Sequence, residues 1–437
     1  MILFVFTVTF TSALISLSGF HSYPVPQRRH RQDHTGLNRS CPRILRSQMP
    51  PNNQWWGMAG VWAFRRDLVR KFINSLDFAY LCLLAETNRS PSGSIARVHT
   101  DVFSAGRERI VFQIEFSDGV SWVARISLPA LPMAKDDDTR LPIPGPAVLH
   151  SEVAVLQLVA RTTSIPVPRV YAYDFDNNPL GARYMLMDEV RGKLIRPFPS
   201  TPLDKVAYIY GQVADIVLEL AQTRFPKIGM ISVAENSRHH VSQCVFEDFT
   251  IHPAFSSANA YYMARFQSFL DEKKREMPPT LDWVVFAWLC VQSISHFVIP
   301  ELDGGPFPLA HPDLNNGNIL YDENEHIVGV LDWTGAGAFP WELVMVPPMD
   351  LYPGYYEDRR ELYIDVFEMK EKEKTGNNRF ATFMRSPAAL IIHLVNDNHR
   401  SWGKTFPSER AHRLANLVFG EGTTWEDVAK KYSGTCI

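Results

Sequence analysis

The strongest constraint on the fold is a change of apolar period along the chain. In Arg97–Phe103, Ile110–Phe116 and Ser121–Ile126 apolar residues recur at every second position. Beyond Arg191-Gly192 they recur at helical spacing, in Leu203–Thr223, Ala258–Lys274 and Leu281–Val298. The Asp118-Gly119 turn between two alternating runs is a hairpin signal, so the first block predicts a three-stranded antiparallel meander. Ahead of it, Val61–Phe72 and Asn74–Ala85 carry the pattern of short helices. Behind it come a helix over Ala147–Arg161, strands at Arg169–Asp174 and Arg183–Asp188, and a strand pair at Ile319–Tyr321 and His326–Leu331. The last roughly 85 residues return to helix. The expectation is an α+β chain in two lobes, a small antiparallel β-rich lobe over residues 75–190 and a larger helical lobe over 191–437. No repeat of 20–50 residues is present, which argues against a solenoid.

Residues 1–23 carry no charge and are largely apolar over Ile2–Leu17; 24–74 read as a Pro-, Arg- and Asn-rich linker with a short helix. Three origins stay open for the apolar stretch: a membrane anchor, a signal, or a mis-included upstream segment. Arg28, Arg29 and Arg31 follow it, so an anchor would leave the body of the protein in the cytosol. Contact with a membrane is expected only through residues 1–23, and the expected location is cytoplasmic. Residues 1–110 hold 14 Lys/Arg and 6 Asp/Glu, a net of +8; with −3 for the whole chain, the remainder carries −11. That overall charge and a pI near 6.5 argue against a nucleic-acid partner. The five cysteines are scattered without a C-x-x-C pair, so neither a disulfide framework nor a zinc site is indicated.

The chemistry concentrates in His311-Pro312-Asp313-Leu314-Asn315-Asn316-Gly317-Asn318-Ile319-Leu320 and in Gly329-Val330-Leu331-Asp332-Trp333. Folded as a hairpin, this segment brings Asp313, Asn318 and Asp332 to one end. Two carboxylates and an amide oxygen are hard ligands, suited to Mg²⁺ rather than zinc. Asp313 can accept the proton of an attacking hydroxyl while Asn318 and Asp332 hold the metal, the division of labour that phosphoryl transfer from ATP requires. On the helix Ala147–Arg161, Glu152 lies within the inward stripe of Leu149, Val153, Leu156 and Val159 and needs a partner. The third strand of the meander offers Arg125.

His-x-Asp-x4-Asn, with an Asp 14 residues after the Asn, resembles the catalytic and metal loops of the protein-kinase-like superfamily. Within it, the sequence is most similar to the aminoglycoside phosphotransferase family, and there to fungal members of unassigned substrate. Those share the Asn-Ile-Leu and Asp-Trp runs and the Pro340-Trp341-Glu342 seen here. The resemblance covers about residues 75–350. It implies a two-lobed protein-kinase-like fold, an ATP- and Mg²⁺-dependent small-molecule kinase, and a small hydroxylated substrate. It maps Asp313 as catalytic base, Asn318 and Asp332 as metal ligands, and Arg125 and Glu152 as the phosphate-contacting pair, with Arg standing where kinases carry Lys. His311 becomes an internal strut. Gly106 falls where a phosphate-covering loop should lie; Arg107 and Arg109 beside it are either phosphate contacts or solvated charges. Met185–Gly192 has the character of an interlobe linker, with the backbone from Met187 through Glu189 to Val190 facing an adenine, or else of an edge strand running into a turn.

Asn315 stands where protein kinases carry Lys, which favours a small-molecule hydroxyl acceptor. Glu342, Asp350, Glu357 and Asp358 suggest an acidic surround and a cationic acceptor, against the alternative of ordinary solvated charge. A catalytically weak pseudokinase that binds a nucleotide or a partner is the rival reading, motivated by Arg125 and the sparse glycine loop. A lumenal binding protein with a fortuitous motif is a more distant one.

Overall fold

The computed structural model describes residues 44–45, 55–90, 93–130, 144–195, 201–234, 236–246, 250–276, 280–348, 357–396, 406 and 408–436. Residues 1–23, nearly all of 24–54, most of the loop expected at 133–146, Asp350 and the Glu357 side chain lie outside the described residues.

The small lobe is a six-stranded sheet in the order β1-β2-β3-β4-β6-β5, where β1 is Ile44–Leu45, β2 Ala96–Ala105, β3 Arg109–Phe116, β4 Ser121–Ser127, β5 Val170–Asp174 and β6 Tyr184–Asp188. The meander β2–β4 is the one that alternation predicts. β1, from the stretch read as a linker without a core, adds itself in parallel to the outer edge of β2. The period of two sorts each strand onto two faces. Ile110, Phe112 and Ile114 of β3, Trp122, Ala124 and Ile126 of β4, and Leu186 of β6 share one core with helices α1 (Arg66–Ser75) and α2 (Phe78–Asn88). Complete burial of Ile110, Phe112 and Ile114 contributes roughly 1.5–3 kcal/mol each. The alternate residues, Val123, Met185 and Met187 with Val111 packed beside them, belong instead to the interlobe core. Arg109, Gln113 and Arg125 lie in register on that same face.

The break between α1 and α2 falls at Leu76-Asp77, later than the pattern indicated. Asp77 caps the second helix by accepting the Tyr80 N–H at 2.9 Å. Helix α3 (Pro146–Thr162) packs Leu149, Val153, Leu156 and Val159 into the interlobe core and opens with Pro at its first turn. Pro166 and Pro168 prevent its continuation.

Beyond the linker the chain forms a two-residue strand, Lys193–Leu194, that pairs with Leu320 and Tyr321 of the hairpin Ile319–Tyr321/Ile327–Val330. Two glycines permit this close approach. A Cβ on Gly192 would lie 2.9 Å from the Val328 side chain, and one on Gly329 would lie 2.5 Å from that of Val190. The large lobe is built on helices α4 (Leu203–Leu220), α5 (Ala258–Arg275) and α6 (Leu281–Ser293), with further helices at Glu357–Thr375, Pro387–Asn396, Ser408–Phe419 and Trp425–Cys436. One element there departs from the sequence reading: a five-stranded antiparallel sheet formed by Arg224–Phe225, Gly229–Val233, His239–Val241, Phe307–Ala310 and Gly337–Ala338. Strands of two to five residues are too short to display a period. Phe307–Ala310 of that sheet delivers the chain to His311. No helix among the described residues is long and apolar enough to cross a membrane.

Candidate active site

His311 is buried and fixes the loop that follows. Its Nε2–H donates to the Leu331 carbonyl at 2.9 Å, and its Nδ1 accepts the Asp313 N–H at 3.1 Å. Both bonds require the neutral ring, and burial lowers its pKa in the same sense. Trp333 packs against it, with ring centroids 4.7 Å apart. His311 is therefore a strut between the two loops.

The Asp313 carboxylate accepts from two side-chain amides, Asn315 Nδ2 on Oδ1 at 2.6 Å and Asn318 Nδ2 on Oδ2 at 3.0 Å. Asn315 Oδ1 in turn accepts the Gly317 N–H at 2.7 Å, so one asparagine both aims the carboxylate and closes the loop. The Asn318 amide nitrogen faces Asp313, which leaves its Oδ1 for another role. Leu331 N–H donates to the Asn318 carbonyl at 2.8 Å and ties the two halves of the hairpin together just before Asp332.

Asp332 has φ of 57°, a left-handed conformation uncommon for a residue with a Cβ and characteristic of functional turns. Its Oδ1 accepts from Arg125 Nη2 at 2.5 Å and from Thr334 Oγ1 at 3.0 Å. Its Oδ2 is buried without a hydrogen-bond partner. Arg125 also pairs with Glu152 through Nη1, and Thr334 Oγ1 donates to Glu152 Oε2 at 2.9 Å. Burial opposes the charge on Arg125, but Glu152 and Asp332 outweigh it and hold the guanidinium above its ordinary pKa. The pairing of Arg125 with Glu152, inferred from an inward carboxylate and a strand cation, is thus present, extended to Asp332.

An orphaned carboxylate oxygen on Asp332 and the amide oxygen of Asn318, the residue just before the strand Ile319–Tyr321, fit a hard divalent cation such as Mg²⁺. Among the described residues no group of three or more His, Cys, Asp or Glu side chains is placed to hold a metal ion, so the protein would offer such a cation only these two oxygens.

Other expectations need revision. Arg109 is not a solvated charge: it is 3% exposed, on the cleft face, and Glu108 beside it is also buried. Burial pushes the Glu108 carboxyl up to about 7, Asp332 adds to the rise, and Arg109 opposes it. Gly106 N–H donates to the Arg109 carbonyl at 2.8 Å, so it closes a tight β2–β3 turn. β6 is an interior strand, not an edge: Met187 is in register with Val123 on one side and Val170 on the other. Its backbone is therefore committed to the sheet, and Met187 presents a side chain to the cleft core instead. The Glu189 carboxylate accepts from Gln113 Nε2 at 2.9 and 3.0 Å, fastening the linker to β3, so only its main chain remains for a nucleotide. Glu342 turns inward: its Oε1 accepts the Ile299 N–H at 2.7 Å, and burial raises its pKa. Asp358 is exposed. Thr334 and Gln113 were not singled out from sequence; Asn315 was noted for standing where protein kinases carry Lys, not as a partner of Asp313.

Beside Asp313, a cavity of about 70 Å³ enters the large lobe between α4, the Phe339–Val346 segment and the helix Pro387–Asn396.

A model of the phosphotransferase enzyme family matches residues 99–341. A subtelomeric hrmA-associated cluster protein of Aspergillus fumigatus is 35% identical over 121 residues, 26% of this chain and 23% of that protein. The chain thus matches under a quarter of the length of that curated relative. Among solved structures, a Ralstonia eutropha protein provisionally called an aminoglycoside phosphotransferase is 13% identical, over 82% of this chain and 99% of that one, with a TM-score of 0.47. ADP-bound aminoglycoside phosphotransferase APH(2'')-Ib is 12% identical, over 79% and 98%, with a TM-score of 0.44. With more than half of its residues matched by the family model, the chain belongs to the phosphotransferase enzyme family, that of the aminoglycoside phosphotransferases and other small-molecule kinases.

Proposed function

We propose that this protein moves the γ-phosphoryl group of ATP to a hydroxyl of a small molecule, in the cytoplasm, where ATP is available. The observation that carries this reading is the buried Asp313 carboxylate, held by two amides at the mouth of a cavity. On the other half of the same hairpin stands Asp332, with an orphaned oxygen.

Asp313 takes the proton of the acceptor hydroxyl as its oxygen forms the new bond to phosphorus, while the bond from the γ-phosphorus to the β,γ-bridging oxygen breaks and ADP leaves. Asn315 and Asn318 keep the carboxylate aimed at the hydroxyl. Asn318 Oδ1 and Asp332 Oδ2 would hold Mg²⁺, which when bound neutralises phosphate charge. Arg125 supplies a fixed cation to the phosphates, kept in place by Glu152 and Thr334. Interior β6 and the Gln113–Glu189 contact present the linker main chain to the nucleotide base.

A second reading has one observation in its favour. The Arg125 fork already bridges Glu152 and Asp332, as it would in a protein that binds nucleotide without turning it over. Mg²⁺-dependent ATP turnover in the presence of an alcohol panel, lost in Asp313→Ala while nucleotide binding persists, supports the first reading. Binding without turnover in the unaltered chain supports the second.

A further inference from the structure

The cavity beside Asp313 has a one-sided chemistry. Its walls are largely hydrocarbon, with Leu220, Leu314, Phe339, Leu343, Val346 and Ile392 on its surface. Among the described lining residues Asp313 is the sole carboxylate, and both of its oxygens already accept hydrogen bonds from Asn315 and Asn318. Of the three other polar side chains in the lining, His311 is the strut already bonded to Leu331 and Asp313, while His393 and Asn396 come from one helix, Pro387–Asn396. Asn396 Oδ1 accepts from Arg265 Nη1 at 2.7 Å, and Arg265 is buried. A guanidinium therefore stands directly behind the polar end of the cavity. Glu342, whose charge suggested a cationic acceptor, is outside the lining and bonded to the Ile299 main chain.

An ammonium group entering this cavity would lose its water and meet apolar walls, with Asp313 the sole carboxylate among the described lining residues. A hydrocarbon group would lose water at a gain. We propose that the acceptor is an uncharged, largely apolar alcohol, its hydrocarbon body against Leu343, Phe339 and Ile392 and its hydroxyl at Asp313. The proposal rests on the phosphotransferase reading for its direction of transfer, but the chemistry of the cavity can be tested apart from turnover.

The test pairs heptanol with its near isostere aminohexanol, and adds cyclohexylmethanol, using the full chain with Mg²⁺ and ATP. Phosphorylated product is measured by phosphorus NMR, and binding separately by calorimetry without ATP. The neutral alcohols should exceed aminohexanol by about tenfold or more in kcat/KM and in affinity. In Leu343→Asp the order should reverse, a gain for the amine that misfolding cannot produce. Leu343→Trp, which fills the cavity without charging it, should weaken cyclohexylmethanol more than heptanol. Equal or better use of aminohexanol by the unaltered chain overturns the proposal and leaves the phosphotransferase reading standing. Saturable binding of heptanol that is weakened in Leu343→Asp, without product from any alcohol, upholds the assigned pocket chemistry and removes the phosphotransferase reading. Failure of either neutral alcohol to bind or react overturns the proposal.

Discussion

The two sides of the catalytic loop are built from opposite materials. Towards the small lobe, Glu108, Arg109, Arg125, Glu152 and Asp332 are all largely withdrawn from water and yet ionisable. Towards the large lobe, the cavity wall is mostly hydrocarbon. Buried charges of this kind persist because each serves as counter-ion to the next, and removing one strands its partner. Such a cluster is suited to exchanging its internal partners for phosphates and a metal. An apolar wall can do nothing of that sort; it can only select a shape and exclude water. The lobes thus divide the work, with charge handled on one side of Asp313 and hydrocarbon on the other.

The comparison is broken most severely at the residue between the two sides. Asp313→Asn preserves size but cannot take a proton and sets its own amide N–H against one of the two asparagine donors, so phosphoryl transfer should fall about 10²–10⁴-fold, with a loss of about 1–3 kcal/mol in stability from the broken hydrogen bond, read by steady-state kinetics and urea denaturation. Arg125→Met leaves Glu152 and Asp332 buried without their cation. Urea denaturation should show a loss of about 3–5 kcal/mol, partly restored in Arg125→Lys. A wild-type midpoint in Arg125→Met would mean that the cluster is not what joins the lobes.

Glu108 sharpens the picture through pH. Its folded pKa, raised to about 7, exceeds the ordinary 4.5, so the folded state keeps a proton that the unfolded chain has already released. Stability from this group is present below about pH 4.5 and is lost as pH rises through 7. Glu108→Gln, which never ionises, should therefore be more stable than the unaltered chain by roughly 1–3 kcal/mol at pH 8, with the gap closing towards pH 5. A gap that widens on acidification would refute the sign. At the small end, the Lys193–Glu323 pair lies at the surface within the large lobe, with the Glu side chain 91% exposed. Lys193→Ala should cost less than about 1 kcal/mol, and what it costs should vanish in high salt.

Local pattern made much of this protein legible. Alternation over 97–126 located the meander β2–β4, since a period of two is imposed by the strand itself, and the inward carboxylate at 152 required a cation wherever the chain went next. The run from His311 to Asp332 exposed its chemistry because all the parts of one hairpin lie within a short stretch of sequence. Of the acidic residues read together there, Glu342 does not belong to an open surround, because charge along the sequence does not say which way a side chain turns: Glu342 faces inward to Ile299.

What sequence by itself determined was therefore the meander, the main helices and the hairpin that brings Asp313, Asn318 and Asp332 together, properties fixed by near neighbours along the chain. Tertiary structure alone decided three things: that Arg109 is buried, that β6 is interior with its main chain committed, and that the cavity beside Asp313 is lined mostly by hydrocarbon. Each depends on contacts between segments tens to hundreds of residues apart, as in the meeting of Arg125 with Asp332 across 207 positions. No local period or spacing encodes such a meeting, because the energy that selects it is gained only when the segments close on one another.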